Sequence, residues 1–264
     1  MIKSRRDFMK ATGAAAASLV MPNTVLATDA PRKKRHIITL SFDDGFKKSS
    51  IKTAEIYEKH NLSACMNVVA SAHMTDFRPP DYPTVPRGDF GLWNELQHRG
   101  HEVMPHSYRH ANLRQLPLSE SKDLIRRCWD GFSKELKDFD QRNAVYNFAY
   151  TASTPDLEAW LPTQVRAFRT GGGAINPLPH KGQVKLTCTS FGPGSCEQAI
   201  DREIEKLLAR KTGWLIFNTH GLDEEGWGPI RATYLDRLLD KLLVIESVDV
   251  LPAGRALDKY VART

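Results

Sequence analysis

Residues 38–46 have the sequence I-T-L-S-F-D-D-G-F, an apolar run that ends in two adjacent carboxylates and a glycine. The β-branched and aromatic residues of this run predict a buried strand. In α/β barrels and open α/β sheets, functional groups gather at the carboxyl ends of the strands, so Asp43 and Asp44 are candidates for a catalytic pair. Asp-Asp-Gly is equally typical of an ordinary turn, in which Asp caps a backbone N–H and Gly takes a positive φ. This stretch alone leaves both interpretations open.

Strand and helix patterns alternate along the rest of the chain, without an internal repeat or a low-complexity linker. The alternation favours a (β/α) barrel or a related parallel α/β layout over two domains. The proline-rich residues 71–88 predict a long loop. Further strands are predicted at 63–70, 102–105, 144–148, 165–169, 184–187, 214–219 and 248–251, and helices at 48–60, 90–98, 119–136, 197–208, 232–245 and 254–261.

The first 27 residues have the features of a twin-arginine export signal. S-R-R-D-F-M-K at 4–10 precedes an alanine-rich stretch, and V-L-A ending at Ala27 suits cleavage after small residues. Gly13 and Pro22 interrupt a run that is already short for a bilayer span. We therefore expect a signal peptide at 1–27, a basic linker at 28–36 and a folded domain at 37–264 that is exported to the periplasm or the extracellular space.

Charge gives little support for a nucleic-acid partner. Of the formal net charge of +6, the predicted leader contributes +3, from four basic residues and one acidic residue, so the mature chain carries +3. The basic run P-R-K-K-R at 31–35 has no interleaved aromatic residues, so no nucleic acid is expected to bind there. Because no cysteine follows the cleavage region, we expect no stable membrane anchor after cleavage.

The four cysteines lack a spacing that is typical of zinc or redox sites. Cys188 and Cys196 flank a turn-rich stretch, and their pairing in an oxidising compartment is a hypothesis. Cys65 is expected to pack as a small apolar residue in the second strand.

Two histidine-containing stretches follow predicted strands. His106 and His110 are four residues apart, which would place both on one side of a helical turn as half of a transition-metal site. A carboxylate from Asp43 or Asp44 would complete a ligand set of two nitrogens and one oxygen, typical of catalytic sites with open positions. His220 ends the strong strand at 214–219. Histidines at this spacing also occur by chance, and His220 alone is consistent with a structural role.

Together these residues resemble a known family. S-F-D-D-G-F, H-S-Y-R-H and the late T-H-G follow the order of the motifs T-F-D-D-G, H-[ST]-x-x-H and L-x-x-H of the polysaccharide deacetylases of carbohydrate esterase family 4. The resemblance spans about 38–257 and implies that residues 37–264 form a polysaccharide deacetylase-like catalytic domain. It implies an α/β fold, namely a distorted, seven-stranded, TIM-like (β/α) barrel in a single domain.

The resemblance also implies roles for individual residues. Asp44, His106 and His110 would bind a divalent metal, by default Zn²⁺, although the ligand set also suits Co²⁺, Ni²⁺ or Fe²⁺. Asp43 would act as the general base and His220 as the general acid.

The family's third motif, R-x-P-Y, is most nearly matched by N-F-A-Y at 147–150, in which Tyr150 would supply an oxyanion N–H. The motif arginine is absent there. Arg169 is a candidate replacement, and a surface arginine before a flexible turn is an equal alternative. The family's fourth motif is not visible. Trp227 would either stack on a sugar ring or belong to a loop that packs on itself.

The sequence therefore predicts a metal-dependent carbohydrate deacetylase that acts on an N- or O-acetylated glycan. One alternative is a catalytically degenerate carbohydrate-binding protein on the same scaffold, since two family motifs are incomplete. Another is a non-haem iron oxygenase, which also uses two histidines and a carboxylate. Oxygenases of that class are usually β jelly rolls, which the alternation of strands and helices disfavours.

Overall fold

The computed structural model describes residues 35–78 and 85–261. The predicted signal peptide, nearly all of the predicted linker and residues 79–84 of the predicted loop lie outside the described residues. Within the described ranges, no helix is both long enough and apolar enough to span a membrane.

Strands and helices alternate as the sequence predicts. The strands are β1 (His36–Asp43), β2 (Cys65–Val68), β3 (Glu102–Pro105), β4 (Val145–Asn147), β5 (Ala167–Gly171), β6 (Ile175–Asn176), β7 (Lys185–Ser190), β8 (Gly213–Thr219) and β9 (Val248–Val250). The helices are α1 (Lys47–Lys59), α2 (Phe90–His98), α3 (Leu118–Glu135), α4 (Pro155–Trp160), α5 (Cys196–Leu208), α6 (Ala232–Leu243) and α7 (Ala253–Val261). The sequence analysis missed α4 and β6, because elements this short do not show a hydrophobic period.

Seven parallel strands form a nearly closed barrel in the order β3-β2-β1-β8-β7-β5-β4. The two end strands approach each other, and the side-chain amide of Asn147 on β4 donates to the carbonyl oxygen of Pro105 on β3 at 3.2 Å. Strand β9 adds to β1 in parallel and β6 to β8 in antiparallel orientation. The predicted single-domain, distorted (β/α) barrel is confirmed.

Alternate residues of each strand point into the barrel. Toward the amino-terminal ends of the strands these inward residues are apolar, and α7 packs against them. The carboxylate of Glu102 fixes the start of α7, because its two oxygens accept the backbone N–H groups of Gly254 and Arg255 at 3.0 Å each. This end of the barrel is a packed core, so the functional groups must lie at the other end.

The proposed pairing of Cys188 with Cys196 is wrong. All four cysteines are free and buried. Cys188 lies on β7 among the apolar residues inside the barrel, whereas Cys196 begins α5 and packs in the layer between sheet and helices. The sheet separates the two sulfurs. Cys65 is buried on β2, as predicted.

Candidate active site

The inward positions change from apolar to polar toward the carboxyl ends of the strands. On β8, the buried Trp214 and Ile216 are followed at the same spacing by Asn218 and then by His220. A cavity of about 420 Å³ opens at this end. It is lined by Asp43, His106, His110, Tyr150, Thr151, Ser190, Asn218, His220 and Trp227.

The turn after β1 requires an unusual backbone. Asp44 has a φ of 74°, and Gly45 follows with a φ of 67°. A Cβ atom at Gly45 would lie 2.9 Å from Cζ2 of Trp93, so only glycine fits without displacement. The turn brings the Asp44 carboxylate to two imidazoles, with Oδ1 at 3.3 Å from Nε2 of His106 and 3.1 Å from Nε2 of His110.

Asp44, His106 and His110 together fit a divalent metal ion. All three are buried, and one ligand atom from each lies within 4.8 Å of the other two. In the described part of the chain, neither carboxylate oxygen of Asp44 has a hydrogen-bond partner. A buried carboxylate is normally paired or coordinates a metal, because an isolated charge costs much free energy to bury. Burial raises the pKa of Asp44, but the neighbouring His110 and His106 outweigh it and hold that pKa well below its ordinary value.

The two histidines converge without the helical turn that their spacing predicts, so that part of the prediction is wrong. Ser107 and His110 have φ values of 70° and 54°, which belong to a tight loop. The loop is closed by the backbone N–H of His110, which donates to Oγ of Ser107 at 2.9 Å. Nδ1 of His106 lies 3.1 Å from the carbonyl oxygen of Asn147. Since a carbonyl only accepts, this bond puts a proton on Nδ1 and leaves Nε2 as the candidate ligand atom for a metal ion.

The Asp43 carboxylate is held on both oxygens. Arg169 donates to Oδ1 at 3.0 Å and to Oδ2 at 2.5 Å, and the side-chain amide of Asn67 donates to Oδ1 at 2.8 Å. Arg169 is 1% exposed, so it is not the surface residue of the alternative interpretation. Burial raises the pKa of Asp43, but the Arg169 guanidinium more than offsets this effect and holds the pKa below its ordinary value.

His220 and Trp227 line the cavity too, and His220 follows β8, which pairs with β1. Their rings meet edge to face with centroids 5.4 Å apart, and Trp227 is 41% exposed. Nδ1 of His220 is buried without a hydrogen-bond partner among the described residues. Burial lowers the pKa of His220 below its ordinary value, although Asp44 and Asp43 act in the opposite direction.

Tyr150 lies beside the metal-ligand cluster at the rim of the cavity. It has a left-handed backbone with φ 56° and ψ 13°, and its ring lies 4.6 Å from that of His110. Thr151 follows with a φ of 52°. Two successive left-handed residues are costly outside glycine and are found where surrounding structure enforces them, often at functional sites.

The sequence analysis missed several polar residues around Asp43. Asn67 connects Asp43 with Asn147. The side-chain amide of Asn67 donates to Asp43, and Oδ1 of Asn67 accepts from the side-chain amide of Asn147 at 2.9 Å. Ser41 accepts from Arg169 at 2.7 Å. Each of these residues is a polar side chain at an inward position of a buried strand. That signal is visible in the sequence once the inward face is known.

Comparisons with known proteins agree with the fold and the motifs. Residues 30–189, more than half of the chain, match the family model for polysaccharide deacetylase, and residues 4–22 match that for a twin-arginine translocation signal sequence. The signal match indicates export across the membrane. The deacetylase match ends before β8, so His220 lies beyond it. No curated protein sequence matches the chain.

Three solved structures illustrate the likeness in fold. A polysaccharide deacetylase structure from Mycobacterium smegmatis has 12% identity and a TM-score of 0.66, covering 89% of this chain and 93% of that one. A peptidoglycan deacetylase from Bacillus subtilis has 15% identity and a TM-score of 0.52, covering 87% and 92%. A family 4 pseudoenzyme from Bacillus anthracis has 14% identity and a TM-score of 0.57, covering 87% and 67%. The family match, the motifs and the barrel together show that the chain belongs to the polysaccharide deacetylases of carbohydrate esterase family 4.

Proposed function

We propose that this protein is an exported, metal-dependent hydrolase that removes acetyl groups from an acetylated polysaccharide or oligosaccharide. The observation that carries the proposal is one cavity that brings together a candidate metal-ligand cluster, the carboxylate of Asp43 and His220. Family membership supports acetyl removal, and the name of the Bacillus subtilis neighbour supports a glycan substrate. Cleavage after Ala27 would release the 37–264 domain to the periplasm or the extracellular space.

Asp44, His106 and His110 would hold the metal, and the orphaned oxygens of Asp44 support this assignment. Two imidazoles and a carboxylate suit Zn²⁺ first, and Co²⁺, Ni²⁺ or Fe²⁺ as well. When bound, such a cation would supply Lewis-acid polarisation of the acetyl carbonyl and would lower the pKa of water.

The remaining roles fall to side chains and backbone of the chain itself. Asp43 would accept the proton of the attacking water, since its carboxylate is ionised and held in one orientation by Arg169. The backbone N–H of Tyr150 would donate to the developing oxyanion. His220 would donate a proton to the departing sugar nitrogen or oxygen, and Trp227 beside it would stack on a sugar ring.

One observation favours a degenerate, non-catalytic glycan binder as the second candidate. Among the described residues nothing fixes the tautomer of His220, because its Nδ1 has no partner, and the Bacillus anthracis neighbour is a pseudoenzyme. Arg169 argues against the degenerate binder. It would replace the arginine that is absent from the third motif, because it donates hydrogen bonds to both carboxylate oxygens of Asp43.

Acetate release from a panel of N- and O-acetylated glycans tests the proposal, with the mature protein measured after metal removal and after loading with each candidate cation. We expect activity only in the metal-loaded protein. His106→Ala should lose both the metal and the activity, whereas His180→Ala, at an exposed histidine outside the cavity, should retain them. A protein that binds the glycans without releasing acetate under any of these conditions would establish the degenerate binder. A fully metallated His106→Ala variant would contradict the ligand assignment.

A further inference from the structure

Asn218 is a buried polar residue in the cavity that the roles above do not use. It occupies the inward position of β8 that is two residues before His220, lines the cavity and is 5% exposed. Its side-chain oxygen Oδ1 is buried, and no hydrogen-bond donor reaches it within 35–78 or 85–261. Buried acceptors are nearly always paired, so an unpaired one in a binding cavity points to a donor on the ligand.

Hydrogen bonds on β1 explain why the neighbouring hydroxyl of that strand, Ser41, does not supply this donor. Strand register places Asn218 between Ser41 on β1 and Ser190 on β7. The Ser41 hydroxyl oxygen already accepts from Arg169 at 2.7 Å and from Asn67, and its own proton points to Asp43. Ser41 therefore belongs to the network that holds Asp43 and has no proton for Asn218.

Two other buried asparagines of the barrel have paired side-chain oxygens. Oδ1 of Asn67 accepts from the amide of Asn147 at 2.9 Å, and Oδ1 of Asn176 accepts the backbone N–H of Thr187 at 2.9 Å. The barrel thus satisfies an asparagine oxygen where the side chain is purely structural. Asn218 differs from these two in lining the cavity, which makes its unpaired oxygen a recognition group.

We propose that Asn218 determines a preference for N-acetyl over O-acetyl groups by accepting the N–H of the substrate's acetamido group. The inference rests on the proposed deacetylase function and deepens it by naming the bond that is hydrolysed. Asn218 lies on β8 two residues before the proposed acid His220, which follows that strand, so both would lie near the leaving atom. An amide nitrogen carries a proton for Oδ1. An ester oxygen carries only lone pairs, which would face the lone pairs of Oδ1 and leave it unpaired.

Two matched oligosaccharides test this preference. One consists of 2-acetamido-2-deoxyglucose units, and the other is a glucose oligomer of the same length acetylated on O2, so the substrates differ only in the atom that bears the acetyl group. We expect wild type to favour the acetamido substrate in kcat/KM. Asn218→Leu, which keeps the approximate volume and removes the acceptor, should lower kcat/KM for the acetamido substrate about 100-fold. For the ester it should leave kcat/KM unchanged or raise it, so the selectivity ratio collapses.

Asn143→Leu is the matched control, because it makes the same substitution at an exposed asparagine outside the cavity. We expect it to leave the selectivity ratio unchanged. If Asn218→Leu does not fold, Asn218→Ala replaces it in the same measurement, because a smaller side chain cannot overpack the site. A wild-type preference for the ester, or an unchanged ratio in the Asn218 variants, would overturn the inference and leave the deacetylase function standing. Hydrolysis of neither substrate by metal-loaded wild type would overturn both.

Discussion

The proposed base and the proposed acid follow neighbouring strands in one cavity and are held very differently. Both oxygens of Asp43 accept hydrogen bonds, from Arg169 and Asn67, whereas Nδ1 of His220 has no partner in the described chain. The difference follows from charge. A buried carboxylate is stable only if its charge is compensated, while an imidazole nitrogen without a partner carries the much smaller cost of a lost hydrogen bond.

The comparison indicates which part of the site is formed before substrate arrives. The wall with Asp43 and the metal-ligand cluster is already fixed by the barrel. The wall with His220, Asn218 and Trp227 has unpaired polar atoms and an exposed ring, so the substrate must complete it. Changes on the first wall should therefore reduce turnover of every acetyl substrate, and changes on the second wall should depend on the leaving group.

Asp43→Asn should have the largest effect. The variant keeps the shape of the side chain but cannot accept the proton of water, so kcat should fall about 10³-fold to 10⁴-fold. Metal content should stay near that of wild type, because Asp44 and the two histidines are unchanged. Acetate release and metal analysis of the same preparation measure both quantities. Asp138→Asn, at an exposed aspartate, is the control. Substantial residual activity would remove Asp43 from the role of base.

His220→Asn should have an effect that depends on the substrate. Hydrolysis of an acetamido sugar needs protonation of a poor leaving group, so kcat should fall about 100-fold to 1000-fold. An aryl acetate has a good leaving group, and its turnover should fall less than about tenfold. The ratio of the two rates is the measurement, with His180→Asn as the control at an exposed histidine. Equal losses for both substrates would argue that His220 does not act as the acid.

Arg169→Met should lower kcat about 100-fold for both substrates with little change in KM, because Asp43 loses its orientation but the sugar contacts remain. It should also reduce the free energy of unfolding by about 3–5 kcal/mol, since the charge of Asp43 is left buried and unpaired. Arg169→Lys should restore part of kcat by restoring the charge without the two-point contact. If kcat and the amount of folded protein fell together in Arg169→Met, and Arg169→Lys restored neither, Arg169 would have only a structural role.

Trp227→Ala should have the smallest effect. Losing a stacking surface should raise KM for an oligosaccharide about fivefold to tenfold and leave KM for a small aryl acetate unchanged. Trp227→Phe retains an aromatic face and should behave nearly as wild type with both substrates. An equal change in KM for the aryl acetate would indicate that Trp227 acts through its contact with His220 instead.

Individual residues show how much of the candidate site could be predicted from the sequence. The D-D-G turn and the histidine pair predicted the three side chains that the barrel brings together as a candidate metal-ligand cluster, because both signals are local and lie beside predicted strands. The helical turn between His106 and His110 was wrong, since the left-handed residues of a loop leave no period in the sequence. Asn218 was overlooked in an apolar strand, although a polar residue two positions before His220 shares its inward face.

The sequence by itself determined the alternating elements, the export signal and the chemical types of side chain at the strand ends. Which side chains meet was decided only by the tertiary structure. Arg169 reaches Asp43 across 126 positions of sequence, because the barrel order places β5 across the interior from β1. Barrel closure and strand register are set by the packing of the whole sheet. The partner of Asp43, and the absence of a partner for Asn218, therefore depend on contacts that no single stretch of sequence specifies.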